Sequence, residues 1–400
     1  MGTTKRRQAG EGGISEYQTK AGPRLLIKYP VLQEDGTKRV VLKPGFTTRR
    51  EAAAALRAEI RRTETGEWVS PSKQPLAAYL AEWLDGQRLA PGTLASYRKN
   101  VRLHIVPRLG ATPMERLTGT AVDAWMRTLE ASGRADGRGG LSPRTVRYVY
   151  TILRSALADA VKHGRLAVNP TDRSTPPSPS QARPPEMHAW TAPELARFLR
   201  WADDHNSDIA MAWRLIAYTG MRRGEALALR WRDVDLDAGR VAVRRSVGVV
   251  KDKGKGEQLV EGATKTGQSR VVDLDAGTVA TLRAYRAVRG SVALDLVRDT
   301  ALVLGTLDGR HRHPERFSRQ FLDHVRQARK ALGEELLPVI RLHDLRHTHA
   351  TLLLAAGEPV KVVSERLGHA SATITLTGYQ HVPPGMGREA AARFAALLDG

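Results

Sequence analysis

What the chain lacks narrows the reading first. Its 400 residues contain no cysteine, which excludes disulfides, thiolate zinc sites and a cysteine nucleophile. No apolar run approaches the roughly 18–20 residues of a membrane span, so no membrane partner is expected. Met1 to Gly10 is polar and basic without an apolar core, which does not read as a secretory signal. No internal repeat of solenoid period is visible. The simplest location for such a chain is the cytoplasm. Negative charge is also scarce.

The net charge is +21 and the isoelectric point near 10.6. Residues 1–73 carry 15 Lys/Arg against 8 Asp/Glu, residues 74–170 carry 14 against 7, and the rest 34 against 27. An excess spread evenly over three segments fits a long polyanion that touches the whole chain, with nucleic acid as the first candidate. At this length two or three domains are expected.

In chain order, residues 1–13 are Gly-rich and charged and are expected to be disordered. Two β-rich runs, 24–32 and 38–43, flank Glu34-Asp35-Gly36, a hairpin signal. Thr48-Arg49-Arg50-Glu51 is a capping box opening an Ala-rich helix to about Thr63. This small module is either a structural appendage or a DNA reader. After a linker at 68–74, helices are expected at 76–84, from Pro91 through Ile105, at 117–131 and from Pro143 to His163, with a flexible loop at 133–140. Arg98, Lys99, Arg102, Arg144, Arg147 and Arg154 make basic helical surface, either solvated or in contact with phosphates. Residues 171–187 hold five prolines and read as an extended linker that cannot join a core. Joining two basic domains, it would let them embrace a duplex. Thr191-Ala192-Pro193-Glu194 is a second capping box. Residues 234–250 and 269–274 read as strands, separated by a mobile Gly/Lys-rich stretch at 251–262. Helices fill the remainder.

The stretch His343-Asp344-Leu345-Arg346-His347-Thr348-His349-Ala350-Thr351 organises the rest. It opens a helix that Gly357 stops. Three apart, His343 and Arg346 present an imidazole and a guanidinium to one point, a pairing suited to phosphate. Arg222 and Glu225 share the same spacing, so the carboxylate can hold the guanidinium in one orientation. Read singly, these are ordinary features: a polar helix end, a surface ion pair, a turn lysine at Lys265, a helix stop at Leu367-Gly368-His369 and a half-buried Tyr379.

Taken in this order and spacing, Thr219 to Trp231, the Lys265 turn, the His343 to Thr351 stretch, Leu367-Gly368-His369 and Tyr379 resemble the tyrosine recombinase (phage integrase) family. Each member of that family's catalytic set finds its residue type here: Arg222, Lys265, His343, Arg346, His369 and Tyr379. The resemblance implies a multi-domain fold, mainly α with small β-sheets. It comprises an α+β arm-binding domain at 14–65, an all-α, SAM-like core-binding domain at 74–170, the Pro-rich linker at 171–187, a mixed α/β, mainly helical catalytic domain at 188–387, and a C-terminal helix at 388–400 for docking on a neighbour. It further implies attack by Tyr379 to give a 3′-phosphotyrosyl link, double-stranded DNA attachment sites, a homotetramer on DNA, and an excision factor or DNA-bending host protein as accessory. When bound to DNA the protein would be nucleoid-associated.

The chemistry follows from the residue types. Arg222 and Arg346 can neutralise the non-bridging oxygens as charge builds on phosphorus. His343 and His369 add hydrogen bonds, and His343 can take the nucleophile's proton. Lys265 can protonate the leaving 5′ oxygen. One phosphoester replaces another, so no ATP is needed, and arginines stand in for metal ions, so no cofactor is expected. His343, His347 and His349 are expected on different helical faces with no accompanying carboxylate, against a zinc site. His347 is expected to support the site. The competing readings are a type IB topoisomerase-like strand transferase and a non-catalytic DNA-binding regulator on the same fold.

Overall fold

The computed structural model describes residues 12–32, 37–65, 73–183, 187–205, 207–252, 256–265, 267–379 and 395. The chain divides into two compact units, Met1–Pro184 and Pro185–Gly400.

The first unit opens with a three-stranded antiparallel sheet of β1 (Gly13–Thr19), β2 (Gly22–Leu32) and β3 (Lys38–Phe46), in the order β1-β2-β3. β1 was not expected, since strands were assigned only from residue 24 on and Gly13 was placed in a disordered start; the Glu34-Asp35-Gly36 turn lies outside the described residues. Helix α1 (Arg49–Glu64) packs Ala52 and Leu56 against Ile27, Tyr29 and Val31. Thr48 Oγ1 accepts from Glu51 N at 3.2 Å. The return bond goes one residue too early for a full capping box, from Thr47 N to Glu51 Oε2 at 3.3 Å.

A separate helical core follows, built by α2 (Leu76–Asp85), α3 (Pro91–Asn100), α4 (Val106–Leu109), α5 (Gly119–Ser132) and α6 (Pro143–Lys162). A π-helical turn at Val101–Ile105 joins α3 to α4 and turns Val101 and Ile105 into the core. Helix α6 is the spine: Val146, Val149, Leu153, Ala156, Leu157 and Ala160 recur at helical spacing, and all are buried. The loop expected to be flexible is closed by Arg134 N to Gly139 O and Leu141 N to Leu129 O, at 3.0 and 2.8 Å.

The linker expected from residue 171 begins as part of this unit. Thr171 is fully buried, and its carbonyl accepts from Tyr150 Oη at 3.1 Å. Thr175 N donates to Asp123 Oδ1, and Arg147 Nη1 donates to the Pro177 carbonyl. Proline supplies no N–H, but the Pro177 carbonyl still accepts, and with the two threonines it fastens the strap. Two of the six basic residues proposed for DNA are thereby engaged, because Arg154 also pairs with Asp172 at 2.9 Å. Arg98 pairs with Asp85 at 3.1 Å. Lys99, Arg102 and Arg144 stay exposed.

In the second unit, α7 (Ala192–His205) starts with the full capping box: Thr191 N donates to Glu194 Oε2 at 2.7 Å and Glu194 N to Thr191 Oγ1 at 3.4 Å. Helix α8 (Ser207–Thr219) leads into the short α9 (Arg223–Leu227). A three-stranded sheet follows, ordered β4-β5-β8, from β4 (Val234–Asp235), β5 (Arg240–Val243) and β8 (Arg270–Asp273). Strands β6 (Arg245–Asp252) and β7 (Gly256–Ala263) form a separate antiparallel hairpin. The stretch expected to be mobile is therefore mostly strand. Its register pairs Val247 with Glu261 and Val249 with Leu259.

Helices α10 (Ala276–Val292), α11 (Pro314–Leu332), α12 (Asp344–Ala355), α13 (Val360–Leu367) and α14 (Ala372–Tyr379) complete the unit. Aromatic rings from three segments fill the centre: Trp213 lies 4.8 Å from Phe317 and 5.1 Å from Phe321, and Trp190 lies 5.0 Å from Phe198. Such rings bury large apolar area at fixed geometry. This core fixes α12, since Trp190 N donates to Thr348 Oγ1 at 3.0 Å. Of the helix expected at 388–400, only Ala395 is among the described residues.

Candidate active site

Three chain reversals bring the polar groups together. At the first, Gly220 follows α8 with φ +63°, a left-handed conformation that costs other residues about 1–2 kcal/mol. Its carbonyl accepts from Arg346 Nη1 at 2.7 Å, so the turn between α8 and α9 aims the arginine of α12. A Cβ on Gly220 would lie 2.6 Å from Leu367 Cδ2 and 2.8 Å from His349 Cδ2. Strain and overpacking together predict that Gly220→Ala destabilises the protein by about 2–4 kcal/mol, read from the urea midpoint.

Arg222 is the N-cap residue of α9, and Glu225 is its third residue. Glu225 Oε2 accepts from Arg222 N at 2.9 Å and Oε1 from Arg222 Nη1 at 2.8 Å. The carboxylate is fully buried, so this is no surface pair. Arg222 Nη2 reaches the Gly368 carbonyl at 3.2 Å. A guanidinium has five N–H donors, so Arg222 keeps donors for a further acceptor.

At the second reversal, β7 ends in a turn closed by Gly267 N to Thr264 O at 2.8 Å, and Lys265 stands exposed at its tip. At the third, α13 stops at Gly368 with φ +66°, and the next residue is His369. His369 Nδ1 lies 2.7 Å from Thr375 Oγ1, a fully buried hydroxyl on α14.

His343 caps α12 and stands edge-on to His347, with ring centres 4.9 Å apart. The expectation of different helical faces fails for this pair, since four residues is about one turn and brings the rings edge to face. His349 does point elsewhere and accepts from Arg366 Nε at 3.1 Å. Arg222, Lys265, His343, Arg346, His347 and His369 line one cavity of about 500 Å³ with Met187, Ala370, Ile374 and Gly378. Tyr379 follows Gly378 at the end of α14, and its side chain lies outside the described residues.

The cavity's imidazoles are held neutral. Burial, then His347 and Arg346, pushes His343 down to about 4. Burial, then Arg346 and Arg222, pushes His369 down to about 4. Burial lowers His347 as well. The fixed positive charge at neutral pH therefore belongs to the arginines and the lysine.

Residues 190–385 match the model of the phage integrase family. The integrase of Mycobacterium phage D29 is 28% identical over 397 residues, covering 96% of this chain and 97% of its own. The chain belongs to the tyrosine recombinases. The fold agrees: the Tn1549 transposon integrase, solved in complex with transposon right end DNA, superposes with a TM-score of 0.65 at 20% identity over 80% of this chain and 99% of its own. A lambda integrase dimer bound to a core site gives 0.53 at 17% identity over 94% and 96%.

In this tyrosine recombinase, five of the six residues singled out from sequence share the cavity, and the sixth adjoins it along the backbone. Sequence reading missed Thr375, the partner of His369, and Arg270. Arg270 sits on β8 in the same alternation as the buried Val272, where an apolar residue is the norm. A charge at an inward strand position is the signal that would have found it.

Burial and Arg366 push His349 down to about 4, and this histidine is 8% exposed. An unfolded histidine binds its proton near pH 6.5, whereas this folded one binds it only near 4. Between those values the unfolded state holds more protons, so stability falls as the pH drops, and the loss ends below 4. The slope is at most about 1.4 kcal/mol per pH unit for such a group. His343 faces the open cavity and is screened by solvent, so its share is smaller. Urea melts from pH 7 to 4 are expected to show this fall, and His349→Gln to flatten it.

Proposed function

We propose that Arg222, Lys265, His343, Arg346, His369 and Tyr379 carry the chemistry of a site-specific DNA recombinase, an integrase that joins a phage or mobile element to a chromosome. As a tyrosine recombinase, the protein cuts and rejoins DNA without metal or ATP. The observation that supports the residue assignment is the convergence of two guanidiniums, an ammonium and neutral imidazoles on one cavity that Gly378 also lines.

Each role has a physical reason. Arg222 and Arg346 are held by carbonyls and a carboxylate, so their donors need no reorganisation as charge develops on the phosphate oxygens. A phenol with a pKa of about 10 is nearly all protonated at neutral pH. His343, neutral at that pH, accepts its proton, and the adjacent arginines favour the phenolate. Tyr379 then attacks phosphorus, the bond to the 5′ oxygen breaks, and Lys265 supplies the proton to that oxygen. The product is a 3′-phosphotyrosyl ester and a free 5′ hydroxyl. Rejoining runs the same steps backwards with a new 5′ hydroxyl.

The finer partners follow the same reading. The substrates are double-stranded attachment sites, met through the basic surface of residues 14–170. The active assembly is a homotetramer on two duplexes, with residues 388–400 donated to a neighbour and an excision factor or DNA-bending protein setting direction. A nicked attachment-site duplex that, after cleavage, loses the short fragment bearing the free 5′ hydroxyl tests this. Covalent adduct is expected to accumulate in the presence of EDTA. Adduct on a single duplex without recombinant product would instead favour a topoisomerase-like reaction, and no adduct would favour a regulator.

A further inference from the structure

Glu225, the carboxylate that steadies Arg222, has a second cationic partner outside the cavity. Its side chain is 0% exposed, with Oε1 taken by Arg222 Nη1 at 2.8 Å and Oε2 by Arg270 Nη2 at 2.7 Å. Arg270 is itself 10% exposed and is fixed at its other edge, where Nε donates to the Arg366 carbonyl at 2.8 Å. Gly368 closes over it, since a Cβ there would lie 2.9 Å from Arg270 Cδ. One side chain therefore meets the start of α9, the end of α13 just before His369, and the strand that follows the Lys265 turn.

The charge count gives this contact a function. If Glu225 faced Arg222 alone, the two would form a neutral pair, and the carboxylate would oppose the guanidinium's pull on a bound anion. With Arg270 present, the trio carries a net charge of +1, and Arg222 is its member that lines the cavity. The cavity thus sees close to a full positive charge from a side chain that is also tied down. A neutral Gln in place of Glu225 would orient Arg222 less firmly but would not oppose it.

We propose that Arg270 is a positioning residue that neutralises Glu225 from behind, so that the Arg222 charge is left for the substrate phosphate. It acts through Glu225 and touches no reacting atom. Burial pushes the Glu225 carboxyl up, but the bond and charge of Arg270, joined by the hydrogen bonds of Arg222, bring it below the usual glutamate range, so the acid is ionised and needs both partners. The inference rests on the reading of this cavity as a phosphate site.

A merely structural brace and a charge-sparing partner differ in the sign of a double substitution. The probe is inorganic phosphate, titrated calorimetrically into the full chain at constant ionic strength. Arg270→Met is expected to weaken phosphate affinity about tenfold, because the buried carboxylate then opposes Arg222 unaided. Adding Glu225→Gln to that variant is expected to restore affinity to within about threefold of the unsubstituted protein. Arg270→Lys keeps the charge and is expected to stay within about threefold, which carries the test should Arg270→Met fail to fold. The proposal is overturned if the double variant binds no better than Arg270→Met, if Arg270→Met binds normally, or if Arg270→Lys loses affinity tenfold while folded. Absence of saturable phosphate binding by the unsubstituted protein overturns the site reading itself, and the inference with it.

Discussion

Tyr379→Phe eliminates covalent attachment to DNA, with a fall in strand cleavage of about 10⁴-fold or more, the scale seen when an enzyme loses its nucleophile. The substitution removes one oxygen and keeps the ring. The electrostatic grip on the phosphate resides in Arg222 and Arg346, which are tied by Glu225, Gly368 and Gly220 and not by the tyrosine in any described contact. DNA affinity is therefore expected to persist. The measurement is a denaturing gel of protein–DNA adduct beside a binding titration. Persistence of adduct in the Phe variant would transfer the nucleophile's role to another residue.

Arg346→Lys slows single-turnover cleavage by about 10²–10³-fold, the usual effect of removing one preorganised oxyanion donor. The change keeps the charge, so long-range attraction of DNA stays. What is lost is the fork. Arg346 is 2% exposed and spends one nitrogen on the Gly220 carbonyl at 2.7 Å while it lines the cavity. An ammonium is a single point and cannot serve a carbonyl and two phosphate oxygens from one place. The expected signature is a large drop in the cleavage rate with little change in DNA affinity. A drop in affinity alone would mean that the residue holds substrate without favouring the transition state.

The site was more legible in the sequence than the scaffold. Arg222, Lys265, His343, Arg346 and His369 occupy short motifs whose spacing fixes local geometry, and those spacings survive folding. Helix starts marked by Thr48 and Thr191 were equally readable, because a cap is a local bond. What was missed depends on distant partners. Strand β7 resembles a loop in composition, and only its pairing with β6 makes it a strand. Residues 171–177 are rich in proline, yet Tyr150, Arg147 and Asp123 bind them to the helical unit. Arg147 was read as basic surface, but its guanidinium serves that strap, while Arg154 stays exposed beside Asp172. Arg270 is marked only by its inward strand position until Glu225, 45 positions earlier, arrives beside it.

The hairpin of β6 and β7 forms a sheet of its own, apart from β4-β5-β8, and Lys265 lies just beyond its second strand. Ion pairs anchor its flank, from Glu261 to Arg230 and from Arg245 to Asp233, and His311 Nε2 lies 3.0 Å from Glu261 Oε2. The hairpin also packs on α9, the helix that Arg222 opens, where a Cβ on Gly224 would lie 2.5 Å from the Val247 carbonyl. On the proposed roles, the clamp and the proton donor thus rest on a shared wall. A displacement of the hairpin would be felt at the arginine, which ties the catching of DNA to its breaking.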